Sequence, residues 1–341
     1  MEVLRWTGQP RMELINPIGS DAHVAEWKRA LDQYFSLVRV FDPLRADFSK
    51  RIELLQSFAG LNEAWRGALE RAVVALEQEH IQRQHQAARE IALLLQDVLS
   101  AQESKLMTTE PESALEQQLL VKLQSRIRQR EKAAWSVIRD LYHHRNLDTT
   151  TAAELSLGNL GTDLFSERTF TLFGLSGFQL LMSGAASGAM AGGSIDLLSG
   201  GASLLLGAGI GALVGSAGAF FGARQLAEVE VLGMPLGGDR LTVGPLSDPN
   251  FPWVVLGRAL LYFQLIAERN HARREALVVS VEAAGHLADE LPGLERKKLL
   301  RLFERLRKNL SLVPAEEEEL TALLDDLLGA SLGSVAAHSL E

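Results

Sequence analysis

The sequence has no cysteine in 341 residues, only 6% aromatic residues and just three tyrosines. Without thiols there can be no disulfide, thiolate zinc site, iron–sulfur cluster or cysteine nucleophile. A reducing, cytoplasmic compartment is the expectation. Excess positive charge is also missing: 34 Lys and Arg face 43 Asp and Glu, for a net charge of −9. Sequence-independent affinity for phosphate backbones needs a basic face, so no specific nucleic-acid partner is expected. Met1–Leu14 contains Glu2, Arg5, Arg11 and Glu13 and no apolar run, so it does not resemble a secretory signal.

The usual motifs of chemistry are equally scarce. No Gly-x-x-x-x-Gly-Lys-Ser/Thr occurs, so this stretch of chain carries no phosphate-cradling loop. Gly207-x-Gly209-x-x-Ala212 resembles a dinucleotide fingerprint only in its spacing, because no strand precedes it. The eight histidines include no His-x-x-x-His pair. His80 and His85 are five apart, and His143 and His144 are adjacent and point apart on a helix. No metal site, catalytic residue or cofactor is expected in this chain. His271, Arg273 and Arg274 could bind an anion, although a solvated helix face explains them as simply.

Glycine, by contrast, is plentiful and unevenly placed. Fourteen of the 29 glycines fall between Thr169 and Ala223, where Asp196 is the only charged residue. The segments on either side of Asp196 each exceed the roughly 20 residues that a helix needs to cross a hydrocarbon core. Gly184, Gly188 and Gly192 recur every four residues, as do Gly207, Gly211 and Gly215, so each set lines one helix face. A glycine in each turn costs a helix about 1 kcal/mol relative to alanine, so such density requires close backbone packing. The spacing predicts a glycine-zipper hydrophobic hairpin over 169–223. Ten strongly apolar residues in its second arm favour insertion by roughly 3–6 kcal/mol, against a cost of about 2.5–3.5 for Asp at mid-membrane. Asp196 therefore belongs at the turn, and the two ends, at Arg168 and Arg224, lie on the same side. Burial of the hairpin in a soluble core remains the rival expectation.

The flanks predict a mainly α fold. Residues 1–60 form a small βαβ unit: a strand over 11–16, a helix over 22–35 bearing Val24, Trp27, Leu31 and Tyr34, and a strand over 37–41. Two strands and one helix cannot cover both faces of a parallel sheet, so this unit reads as the tail of a larger α/β domain or as a small cap. Residues 61–341 form a helical domain. Trp65, Leu69, Val73, Leu76, Ala87, Ile91, Leu94 and Val98 predict the first helix of a long hairpin over 61–147, interrupted at Thr108–Pro111. A short β-hairpin is expected over 229–246, turning at Gly237-Gly-Asp239. Helices follow over 253–330. The last two are a basic one (Arg296 to Lys308) and an acidic one (Glu316 to Asp326), which should pack together; a basic patch for anionic lipid or RNA is the alternative.

Taken together, Gly8-Gln-Pro-Arg-Met-Glu-Leu-Ile-Asn16-Pro17, His23-Val-Ala-Glu-Trp27, Val38-Arg-Val-Phe41-Asp42, the glycine zipper, Arg240-Leu-Thr-Val-Gly-Pro245, Arg258-Ala-Leu260 and His271-Ala-Arg273 resemble bacterial Era-like GTPases that carry a C-terminal domain of unknown function. The resemblance implies that residues 1–60 are the last βαβ of a GTPase domain whose phosphate loop, switches and magnesium ligands precede Met1. It implies GTP and magnesium as cofactors of the parent GTP hydrolase. Asn16 falls at the guanine-recognition position, but Asn16-Pro17-Ile18-Gly19 lacks the Lys and Asp of that motif. The implied role is a non-catalytic, membrane-associating effector module. Its partners would be its own GTPase domain, lipid of the inner membrane and a second copy of itself. A soluble helical scaffold for a protein partner and a pore-forming hairpin are the alternatives.

Overall fold

The computed structural model describes residues 10–17, 22–43, 46–107, 111–144, 163–166, 169, 173, 225–231, 234–267 and 291–338. The chain packs as two compact units, Met1–Gln84 with Ala267–Ala276 and Leu332–Glu341, and His85–Ile266 with Leu277–Ser331. Among the described residues it is mainly helical, with seven helices and five short strands.

In the first unit, β1 (Met12–Ile15), α1 (Val24–Leu31) and β2 (Leu37–Val40) form the expected βαβ, with β1 and β2 parallel and Met12 opposite Leu37. Only Leu31 of α1 is buried, and Leu14, Trp27, Tyr34 and Val40 stay exposed. Two strands leave a sheet face uncovered, as the sequence pattern implied. A further helix follows, α2 (Phe48–Ala59), capped by Asp47, whose carboxylate accepts the Lys50 N–H at 2.7 Å. The Phe48 ring stacks on His80 with centroids 4.1 Å apart.

The long hairpin is present as α3 (Glu63–Leu99) and α4 (Glu112–Leu141). Its connection differs from the expected simple break, because Glu103–Leu106 forms strand β3. This segment is polar and carries no alternation, so nothing local marks it as a strand. It is held by pairing antiparallel with β5 (Met234–Val243), which also pairs with β4 (Gln225–Val231). The sheet order is β3-β5-β4. The expected hairpin exists, but its strands pair as far as Val231 opposite Met234, so Gly237-Gly-Asp239 runs within β5 and is not the turn. The pairing is interrupted by a register shift between Glu228 and Glu230, and Gly237 and Gly238 lie in the β5 stretch opposite it, between Pro235 and Asp239.

Helix α5 (Phe251–Ala267) is buried on every side from Phe251 to Ile266. Helix α6 (Gly293–Arg307) buries Leu299, Leu300, Leu302, Phe303 and Leu306, and α7 (Pro314–His338) buries Leu320, Leu323, Leu324 and Leu328. The basic and acidic helices do pack together. Arg301 bridges to Glu319, and Arg305 Nε lies 3.1 Å from Glu316 Oε2. Trp253 of α5 meets Phe303 of α6 edge to face, with centroids 5.3 Å apart. Arg307 Nε donates to the Leu246 carbonyl at 3.1 Å, and its terminal nitrogen to the Ser247 carbonyl.

Candidate functional site

Within the second unit, the described residues on either side of the uncharged stretch are both built into the fold. Upstream, Asp163 is gripped by Arg128 of α4 through a forked pair, Nε to Oδ2 at 2.6 Å and Nη2 to Oδ1 at 3.0 Å. The same carboxylate accepts the Phe165 N–H at 2.9 Å, and the Asp163 carbonyl accepts the Thr169 hydroxyl at 2.8 Å. Burial alone would raise the Asp163 carboxyl, but the Arg128 fork and the Phe165 N–H hold it below its ordinary value. Thr169 is fully buried and its N–H reaches the Ser166 hydroxyl at 3.2 Å. The Phe165 ring stacks on Phe251 of α5 at 5.9 Å, and the Arg128 guanidinium lies 4.9 Å from the Phe165 centroid.

Phe173 lies in a notch of α5 at Gly257. A Cβ at that position would come within 3.0 Å of Phe173 Cδ1, so the notch exists only because the residue is glycine. Downstream, Gln225 opens β4 and pairs with Thr242 of β5. The far end of β5 is clasped at Gly244, whose φ of +99° suits glycine and whose Cβ, if present, would run into the Ala101 carbonyl. The chain that flanks 174–224 is therefore fastened on both sides to one helical core.

That core is organised by α5. Arg258 lies at its centre and pairs with Glu131 of α4, Nε to Oε1 at 2.7 Å and Nη2 to Oε2 at 3.0 Å, both side chains almost fully buried. Its guanidinium also sits 5.3 Å from the Trp135 ring, which stacks on Tyr262 at 4.7 Å. The Tyr262 hydroxyl donates to the Trp135 carbonyl at 3.1 Å, and burial pushes its pKa up to about 12. Gln264 Nε2 donates to the Ser331 carbonyl at 3.2 Å, tying α5 to α7. Each of these polar groups fixes one helix against another. Together they hold the register of a helix whose apolar surface alone would let it slide.

Of the residues singled out in the sequence, Asn16 is exposed directly after β1. Gly184, Gly188, Gly192, Asp196, Gly207, Gly211 and Gly215 lie outside the described residues, as do His271, Arg273 and Arg274. No helix among the described residues is long and apolar enough to cross a membrane, and no cluster of His, Asp and Glu among them could hold a metal ion. Sequence reasoning missed the Asp163–Arg128 clamp and the Glu131–Arg258 pair. The second carried one signal: Arg258 is the only charge within the apolar run Phe251–Ala267. Glu131 carried none, since it is one acid among many on a charged helix.

Comparison with curated proteins and with solved structures gives no match. Residues 28–328 match a family described as a domain of unknown function (DUF3482), and the chain belongs to that family.

Proposed function

We propose that this chain is a non-catalytic effector module that presents residues 174–224 to the inner membrane, under the control of a GTPase domain that supplies GTP and magnesium chemistry. The observation that carries the proposal is the double anchorage: the Asp163, Thr169 and Phe173 contacts on one side and β4 on the other. Residues 174–223, without charge apart from Asp196 and with the chain anchored on both sides, are suited to entering and leaving the same face of a bilayer. The exposed apolar residues of the β1–β2 pair, Leu14 and Val40 among them, support a place for residues 1–60 at the side of a larger sheet such as that of a GTPase. In such an arrangement nucleotide state would act by changing how far the anchored segment is exposed.

The test is fractionation of the native protein. It is expected in the membrane pellet and to resist low-salt washing, and release into the wash removes the insertion proposal. Flotation on vesicles that is equal in every nucleotide state removes the switching part alone.

A second reading, a soluble helical scaffold for a protein partner, draws on α3. Trp65 and Leu76 at the start of that helix are exposed at helical spacing, a form that a partner helix could cover. Crosslinking of the soluble protein to one stoichiometric partner, lost in a Trp65→Ala/Leu76→Ala variant, favours this reading over the first.

A further inference from the structure

Helix α6 carries two faces of opposite character. Leu299, Leu302, Phe303 and Leu306 are buried, with Phe303 against Trp253 of α5. On the other side Leu294, Lys297, Lys298, Arg301, Arg305 and Lys308 recur at helical spacing and share one stripe. Arg301 and Arg305 are partly neutralised by Glu319 and Glu316 of α7. Lys297, Lys298 and Lys308 are exposed and enter no ion pair among the described residues. Leu294, at the head of the stripe, is 68% exposed, the highest value for a large apolar side chain among the described residues.

A leucine exposed to this degree adds apolar area directly beside the cations. A basic stripe led by an exposed apolar side chain is the pattern of a helix lying against a lipid surface, where cations meet anionic headgroups and an apolar residue reaches the acyl boundary. The rest of the chain makes the charge meaningful. A protein of net charge −9 is repelled as a whole by an anionic bilayer, so it needs a local cationic face to approach one. The stripe belongs to the unit that anchors both ends of the uncharged segment. Moreover, α6 is fastened to that anchorage, through Trp253 of α5 and through the Arg307 bonds to the loop that follows β5.

We infer that the α6 face formed by Leu294, Lys297, Lys298 and Arg301 docks on an anionic membrane surface and orients the second unit for presentation of residues 174–224. This rests on the membrane reading proposed above but concerns the choice of lipid, which that reading leaves open. A nucleic acid is disfavoured, since no aromatic side chain interleaves the cations of the stripe.

The test is flotation of the full chain with two kinds of vesicle, phosphatidylcholine alone and equal parts of phosphatidylcholine and phosphatidylglycerol. The wild type is expected to prefer the anionic vesicles. Each cation near a charged surface changes binding about five-fold, so Lys297→Ala/Lys298→Ala should weaken anionic binding about 25-fold and leave the neutral vesicles unaffected. Lys297→Arg/Lys298→Arg should restore it, and Leu294→Ser should weaken binding to both. All three mutated positions are exposed, and unchanged thermal melting confirms that the variants fold. Equal flotation of wild type and the double alanine variant on anionic vesicles overturns the inference and leaves the membrane reading intact. Absence of flotation on either vesicle overturns both. Loss of single-stranded RNA binding in the double variant, with vesicle binding unchanged, overturns it in favour of RNA.

Discussion

The two halves of α3 have the same kind of sequence and opposite surroundings. Its apolar stripe runs through Trp65, Leu69, Val73, Leu76, Ala87, Ile91, Leu94 and Val98 at one helical spacing. In the second half Ala87, Ile91, Leu94 and Val98 are all buried to within 1% of completely. In the first half Trp65 is 43% exposed and Leu76 39%, and only Val73 is buried. The second half also has α4 locked across it, with Arg130 bonded to both Glu90, at 2.8 Å, and Asp97, at 2.5 Å. Periodicity fixes that a helix forms and which face is apolar. It does not fix whether anything covers that face.

The largest expected effect tests the core of the second unit. Glu131→Ala leaves the Arg258 guanidinium buried without its carboxylate, and should cost about 3–5 kcal/mol in urea unfolding. Replacing both partners, Glu131→Leu with Arg258→Met, should restore most of that loss, since removing both charges also removes the desolvation cost. A near-silent Glu131→Ala would mean that water reaches the pair.

The two halves of α3 separate next. Leu95→Ala, at a fully buried site, should cost about 2–5 kcal/mol, while Leu76→Ala should stay within about 0.5 kcal/mol. Comparable losses at both positions would show that the first half is covered in solution. Gly244→Ala should cost about 1–3 kcal/mol, because the residue has a positive φ and no room for a Cβ beside the Ala101 carbonyl.

The smallest effect is a difference in acid sensitivity. His80, beside Phe48, is held below the ordinary histidine value of 6.5, first by burial and then by Arg83 and Arg51. Its folded form binds protons less readily than its unfolded form. The first unit should therefore lose stability as pH falls through 6.5 towards the folded value, and His80→Gln should flatten that slope in urea midpoints. In the second unit Glu103 is lowered by its hydrogen bond to Lys122, and Asp163 by Arg128, so their contribution is lost only below the usual carboxylate range. Asp248, raised by burial, offsets part of that loss.

Much of the fold was legible from pattern, and the limits of that legibility are physical. The βαβ unit, both long helices and the pairing of a basic with an acidic helix follow from periodicity and charge, which are local. Strand β3 escaped notice because Glu103–Leu106 has no strand pattern of its own; it exists through four pairs with β5, more than a hundred residues away. The turn of the β4–β5 hairpin was misplaced because Gly237-Gly-Asp239 is a strong local turn signal, whereas pairing holds those residues within β5. Glycine density drew attention to 169–223, yet the residues that fasten the chain on either side of it, Asp163, Thr169 and Gly257, stood outside that signal or at its edge.

By itself, then, the sequence determined that the chain is mainly helical, free of thiol chemistry, and carries an uncharged glycine-rich stretch between charged helices. Those properties depend on composition and on spacing along the chain. Only the tertiary structure decided that Arg258 finds Glu131, that Phe173 finds the notch at Gly257, and that one half of α3 is buried while the other is not. Burial is a relation between distant segments, and a buried charge or a missing Cβ has meaning only once its neighbour is in place.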